Sequence, residues 1–294
     1  MSEQKTVAFI GLGQMGRPMS GHLAKAGYRI RAFDASPEQV SAVASEIGAT
    51  ACTSAADAAQ GADVLITMVP DGRVVRQVLL DDGAAAALAK GSTVLDMSSS
   101  DPVGTRKLGE ALTAEGLTLV DAPVSGGVAR AKTAQLSIMA GGDAGAIERV
   151  KPILETMGNR VFLTGPLGSG HAMKALNNYL SAAGLVAACE ALVVGRAFGL
   201  DPAAMNEVLN ASTGKNNTTE VKVQQFMLSG AFNSGFSAGL MLKDLATAAA
   251  LADAMKVDAP FVRECVARWE DMVGMLGMSA DHTEYFRLVA GGDH

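Results

Sequence analysis

Cysteine is scarce in this chain: Cys52, Cys189 and Cys265 are three in 294 residues. They lie far apart, are odd in number, and show neither CxxC spacing nor a neighbouring His pair. That excludes a disulfide framework and a metal site built on the usual ligand spacings, so no metal is expected, and a reducing, cytoplasmic compartment fits best. Basic charge is also in deficit, with 24 Lys and Arg against 30 Asp and Glu and a formal net charge of -6. No Lys/Arg cluster offsets it, and a nucleic-acid partner, which needs a basic face, is excluded. Internal repeats and low-complexity tracts are lacking. Met1 to Thr6 is polar and leads directly into a strand-like run, without the charged and then apolar pattern of an export signal. One segment, Leu180 to Leu200, is long enough for a bilayer. Glu190 and Arg196 lie within it and Ser181, Gly184 and Gly195 dilute its apolarity, so it reads as a buried helix at a domain or subunit interface, with no membrane partner.

What is present begins in the first 34 residues. An apolar run, Val7 to Ile10, leads into Gly11-Leu12-Gly13-Gln14-Met15-Gly16, and a second run, Tyr28 to Phe33, ends on Asp34. Strand, glycine-rich turn, helix, strand and acid follow in the order, and at the roughly 20-residue separation, of a dinucleotide-binding βαβ unit. Gly11 permits the tight turn, Gly13 lets backbone approach a pyrophosphate, and Gly16 lets the helix pack closely. The anion would sit over the helix N-terminus, where unpaired N–H groups and the positive end of the dipole favour it. Asp34 can accept from ribose hydroxyls and repels a 2′-phosphate, which favours NAD over NADP. Arg29 and Arg31 weigh against that preference, but no Arg follows Asp34 at once.

Further strand-like runs recur at Val64 to Val69, Thr93 to Met97, Leu117 to Val120, Leu136 to Met139 and Val161 to Leu163. Helix-prone stretches such as Ser54 to Gln60, Arg73 to Leu80 and Gly104 to Ala114 lie between them. The alternation predicts an α/β fold, a doubly wound Rossmann-type domain with a largely parallel sheet. After about Leu163 the strand pattern stops, and Leu176 to Phe198, Pro202 to Ser212, Leu240 to Met255 and Pro260 to Met275 carry helical spacing. Gly165-Pro166-Leu167-Gly168-Ser169-Gly170 reads as a linker. The expected organisation is a nucleotide-binding domain over 1–164 and an all-α domain over 165–294, joined by a long interdomain helix, with substrate enclosed between the strand-end loops and the helical domain.

Only four histidines are available for proton transfer. His22 and His294 read as solvated or packed, and His282 follows Asp281 in what reads as a helix cap. His171 starts the interdomain helix and is one candidate. Lys174 is the other, with Asn178 four residues on and on the same face. A Lys on a largely apolar helix is desolvated, which lowers its pKa toward the range for proton transfer, and Asn178 can orient a hydroxyl or carbonyl. Asp121, shortly before Pro123, reads as capping or terminating its strand. Ser212 to Thr219 is polar enough to be a plain loop.

Gly11 to Met19 (GLGQMGRPM), Asp121 to Val128 (DAPVSGGV), Gly168 to Asn178 (GSGHAMKALNN) and Lys243-Asp244-Leu245 together resemble the β-hydroxyacid dehydrogenases, the group that contains 3-hydroxyisobutyrate dehydrogenase and tartronate semialdehyde reductase. The resemblance implies that Lys174 is the proton donor or acceptor and Asn178 its partner at the reacting oxygen. It implies that Ser125, Gly126 and Gly127 present a hydroxyl and N–H groups to a substrate carboxylate. Phe236 would pack over the pocket, Lys243 would lie near the nicotinamide and substrate with Asp244 as its companion, and Val69, Pro70 and Ser99 would line the cofactor. Ser99 stands where the family commonly has Thr, and His171 where it often has Gln or Ala. The implied activity is hydride transfer between NAD, or NADP, and a small hydroxy acid or semialdehyde. Separately, the apolar helix around Leu185 to Val194, which so small a second domain cannot easily cover, points to a homodimer or homotetramer. An imine reductase shares the architecture but normally lacks the Lys; a noncatalytic nucleotide-binding relative is the other alternative.

Overall fold

The computed structural model describes residues 5–291; His294 lies outside them. The first half alternates as expected: β1 (Thr6–Ile10), α1 (Gly16–Lys25), β2 (Arg29–Phe33), α2 (Pro37–Ile47), β3 (Thr50–Ala51), α3 (Ala55–Ala59) and β4 (Val64–Thr67). There follow α4 (Gly72–Arg76), running into a π-helical turn over Gln77–Asp81, then α5 (Ala84–Ala87), β5 (Thr93–Asp96), α6 (Pro102–Ala114) and β6 (Thr118–Asp121). The half ends with β7 (Val124–Ser125), α7 (Gly127–Lys132), β8 (Leu136–Gly141), α8 (Ala144–Glu155) and β9 (Gly158–Gly165).

The strands form one sheet in the order β3-β2-β1-β4-β5-β6-β8-β7, with β9 against β8. The six strands from β3 to β6 are parallel and in the order of a dinucleotide-binding sheet. β8 departs from the parallel pattern, pairing antiparallel with β6 and β7. The strands are apolar on both faces because helices cover both. In β1, Val7 and Phe9 pack with Met19 and Leu23 of α1 and with Ile147 and Leu154 of α8. Ala8 and Ile10, pointing the other way, pack with Ala55 and Ala58 of α3 and with Leu108 and Leu112 of α6. Asp101 caps α6 and Asp143 caps α8 through their side chains.

The second half is helical: α9 (Ser169–Phe198), α10 (Pro202–Asn210), a π-helix over Thr218–Met227, α11 (Ala238–Ala254), α12 (Pro260–Leu276), a 3₁₀ turn at His282–Glu284 and α13 (Tyr285–Val289). Its core is built from Leu185, Cys189 and Leu192 of α9, Leu245 of α11 and Trp269 and Met272 of α12. Asp201 and Ser237 cap α10 and α11. The polar stretch ahead of this π-helix is not all loop: Thr218 and Thr219 are buried and open the helix, with Asn216 Oδ1 accepting from Thr218 N at 2.8 Å. The chain divides into two compact units, Met1–Lys174 and Ala175–His294. The division therefore falls inside α9, whose first turn belongs to the sheet-containing unit.

Candidate active site

The turn from β1 to α1 is held by close approaches that only glycine allows. Gly11 has φ +97°, and a Cβ there would strike the Met68 carbonyl oxygen at the end of β4; one on Gly16 would strike the Gly11 carbonyl oxygen. Gly13, between them, has open space where its Cβ would be. That is the cradle a pyrophosphate needs: two glycines fold the turn and the third leaves room above it. Leu12, Gln14 and Met15 complete the turn, with Met15 at the N-cap of α1.

Asp34 stands at the end of β2, where its Oδ2 accepts from Leu12 N at 2.7 Å and its Oδ1 from Ser36 N at 2.9 Å. The two bonds fix the carboxylate against the glycine turn, and each oxygen keeps a lone pair for a ribose hydroxyl. Arg31 is engaged elsewhere, bonding the Asp57 side chain at 2.8 Å and the Ala58 carbonyl at 3.1 Å. Arg29 lies at the opposite end of the strand. These residues fit NAD or NADP.

Next along the strand ends, Val69 N donates to Ser98 Oγ at 3.0 Å, which joins the Val69-Pro70 loop to the loop carrying Ser99. Buried Asp96 organises both. Its Oδ1 accepts from Thr67 Oγ1 and Ser98 N, each at 2.9 Å, and its Oδ2 from Ser100 Oγ at 2.7 Å. Sequence reasoning missed Asp96, although an acid ending a strand and followed by three serines is a visible signal. Ser125, Gly126 and Gly127 form the sharp turn between β7 and α7. The two glycines have φ +130° and +64°, and a Cβ on Gly126 would collide with the Arg130 side chain.

Lys174 and Asn178 lie one turn apart on α9, both largely buried. Asn178 Nδ2 donates to Asp244 Oδ2 at 2.5 Å, and Lys243 Nζ lies 3.0 Å from Asp244 Oδ1. Asn177 Nδ2 donates to Asn178 Oδ1 at 3.1 Å. Asp244 therefore holds both Asn178 and Lys243, so the Lys243-Asp244 pair is more than a solvated one. Phe236 stacks edge-to-face on His282, with ring centroids 5.6 Å apart. His22 Nε2 lies 2.9 Å from the Ala131 carbonyl oxygen, a packed role. His282 sits behind a capping box formed by Asp281 and Glu284, and no metal-binding group of His, Cys, Asp and Glu occurs among the described residues.

Asp121 does more than end its strand. From β6 its Oδ1 accepts from Gly168 N and its Oδ2 from His171 N, both at 2.8 Å, so it caps the start of α9 from about fifty residues away in sequence. Burial pushes its carboxyl above the usual range, opposed by His171 and by the two backbone N–H donors.

Residues 6–165 match the family model described as the NAD binding domain of 6-phosphogluconate dehydrogenase, and residues 168–289 the model described as NAD-binding of NADP-dependent 3-hydroxyisobutyrate dehydrogenase. The chain is 41% identical over 263 residues to the NAD-dependent L-serine dehydrogenase of Pseudomonas aeruginosa, covering 87% of this chain and 88% of that one. It is 41% identical over 261 residues to 3-hydroxyisobutyrate dehydrogenase of the same organism, covering 86% and 87%. Among solved structures, the Mycobacterium tuberculosis 3-hydroxyisobutyrate dehydrogenase with L-serine superposes with a TM-score of 0.91 at 32% identity, over 98% of this chain and 99% of that one. The chain belongs to the β-hydroxyacid dehydrogenase family of NAD(P)-dependent oxidoreductases.

Proposed function

We propose that this protein interconverts a short hydroxy acid bearing its hydroxyl at C3 with the corresponding semialdehyde or ketone, and that Lys174 is its general acid/base. The observation that carries this reading is the pairing of Lys174 with Asn178 on one face of α9, with Asn178 held by buried Asp244. The bound dinucleotide supplies the nicotinamide that accepts or donates the hydride. In oxidation, neutral Lys174 takes the hydroxyl proton; in reduction, its ammonium returns it. One N–H of the Asn178 amide is committed to Asp244, which leaves the other to orient the reacting oxygen. Ser125, Gly126 and Gly127 receive the substrate carboxylate, and Phe236 shapes the pocket. Lys243, Val69, Pro70 and Ser99 line the cofactor.

Asp34, with Arg31 occupied by Asp57, supports NAD as the preferred cofactor. The names of the relatives make 3-hydroxyisobutyrate and serine the first substrates to test. The three cysteines are free and buried, in keeping with a cytoplasmic location. α9 leaves Leu180, Val194 and Phe198 67%, 69% and 85% exposed, an apolar stripe that a second copy of the chain would cover in a homodimer or homotetramer.

The test is initial rate over a panel of 3- and 4-hydroxy acids and their semialdehydes, each with NAD(H) and NADP(H). Turnover of at least one 3-hydroxy acid, faster with NAD, is the expected result. Cofactor binding with no turnover across the panel would mean the chemistry has been misassigned while the fold stands.

A further inference from the structure

Among the described residues, His171 is the one histidine whose ring lies between two carboxylates from different strands. Its side chain is fully buried, with Nε2 3.6 Å from Asp96 Oδ2 and Nδ1 3.7 Å from Asp121 Oδ2. Both separations exceed hydrogen-bond length, so the ring separates the two carboxylates without bonding either. Its direct bond is to Thr105 Oγ1 at 2.8 Å. The Thr105 hydroxyl already donates to the Asp101 carbonyl at 2.9 Å, so Nδ1 carries the hydrogen in the bond to His171. His171 Nε2 has no hydrogen-bond partner. An imidazole with an unpartnered nitrogen, buried beside two carboxylates, is costly compared with apolar packing, so such an arrangement calls for an explanation beyond stability.

The two carboxylates serve different parts of the site. Asp96 fastens Ser98 and Ser100, on either side of Ser99, and through Ser98 the Val69 loop. Asp121 fastens Gly168 and His171 at the first turn of α9. The fit is tight on that side: a Cβ on Gly170 would strike the Met139 carbonyl oxygen and come within 2.8 Å of Asp121 Oδ2. His171 is thus where the cofactor-loop network meets the helix-start network, and Lys174 follows it by one helical turn on the same side.

We propose that His171 is a positioning residue for the reaction. Its ring fixes the spacing between the Ser99 loop and the first turn of α9, and so sets where the Lys174 nitrogen stands relative to the reacting oxygen. The inference rests on the role of Lys174 proposed above. It concerns placement, so its signature is loss of turnover without loss of binding.

Wild type, His171→Ala, His171→Gln, Thr105→Val and Lys174→Ala are compared on the best substrate of the panel. The readouts are kcat, KM for substrate and cofactor, and the primary isotope effect with substrate deuterated at the carbinol carbon. A misplacement of about 1 Å lowers kcat of His171→Ala about 100-fold and raises the isotope effect, with both KM values within about threefold. His171→Gln, whose amide can still donate to Thr105, recovers about tenfold of that loss. Should His171→Ala fail to fold, Thr105→Val, which keeps the ring and removes its acceptor, decides: a fall in kcat of about tenfold supports the proposal. It is overturned if the variants that fold keep kcat within about twofold of wild type, if the loss lies in KM alone, or if Gln is no better than Ala. Wild-type turnover in Lys174→Ala would instead overturn the role of Lys174, a different result in the same assay.

Discussion

At the scale of single residues, Asp34 is the most consequential choice in the proposed nucleotide site. Its carboxylate is pinned by Leu12 and Ser36, and Arg31 is tied to Asp57. Replacing Asp34 by Ala removes hydrogen bonds to a charged acceptor worth about 1.5–3 kcal/mol, so KM for NAD should rise about 10- to 100-fold while NADP is used as well or better. Steady-state kinetics with each cofactor checks it, and an unchanged NAD/NADP ratio would show that Asp34 does not choose. The glycine turn and Asp34 were legible in the sequence because they lie within one βαβ unit and each residue type has one physical task. Asp96 and Asp121 were not. Asp121 meets Gly168 and His171 only after β6 and the start of α9 are brought together, and nothing in the spacing of the chain predicts that cap.

At the scale of elements, helices were foreseen from their spacing, as with α6 over Gly104 to Ala114 and α10 over Pro202 to Ser212, while their Asp101 and Asp201 caps are seen only in the structure. The π-helix over Thr218–Met227 was not, because Thr218 and Thr219 look like loop residues until their burial is seen. Lys222 within this helix is buried, donates to Ser181 Oγ at 3.3 Å, and has its pKa lowered by burial to about 8. His282 lies near it and ties the Ser234–Phe236 stretch to the final turn, with Nδ1 2.8 Å from the Phe236 carbonyl oxygen. Burial, and then the charge of Lys222, lowers the His282 pKa to about 4. The ring is neutral in the folded protein, and the unfolded chain takes up a proton first as pH falls through about 6.5. Stability from this group is therefore full above about pH 6.5 and declines from there to about pH 4. Between pH 7 and pH 5 the decline is about 2 kcal/mol, visible as a lower urea midpoint, and His282→Gln should lack that share. An identical acid loss in wild type and variant would assign the titration elsewhere.

At the scale of the whole molecule, a largely parallel sheet and the change from α/β to helical structure followed from the alternation of apolar runs, whereas the strand order emerges only in the fold. The linker near residue 165 read as a boundary because of its Gly and Pro, whereas the compact units part inside α9, after Lys174. A helix that starts on one unit and continues into the next leaves no break in periodicity for a sequence to reveal. α9 is also long and apolar enough to pass as a membrane span, with only a third of its most apolar window buried. A second copy of the chain is the partner this account gives its exposed stripe. Sedimentation at micromolar concentration should show a particle of at least twice 30.0 kDa, and Leu180→Glu with Phe198→Glu should shift it toward monomer. A 30.0 kDa wild-type particle would remove that partner.

The central claim is that Lys174 moves the proton. Single-turnover rates of wild type and Lys174→Ala, on the best hydroxy acid of the panel and with cofactor affinity measured alongside, test it most directly. The account predicts a loss of at least about 100-fold in the variant, with cofactor affinity unchanged. Turnover equal to wild type would place the acid/base elsewhere and contradict it.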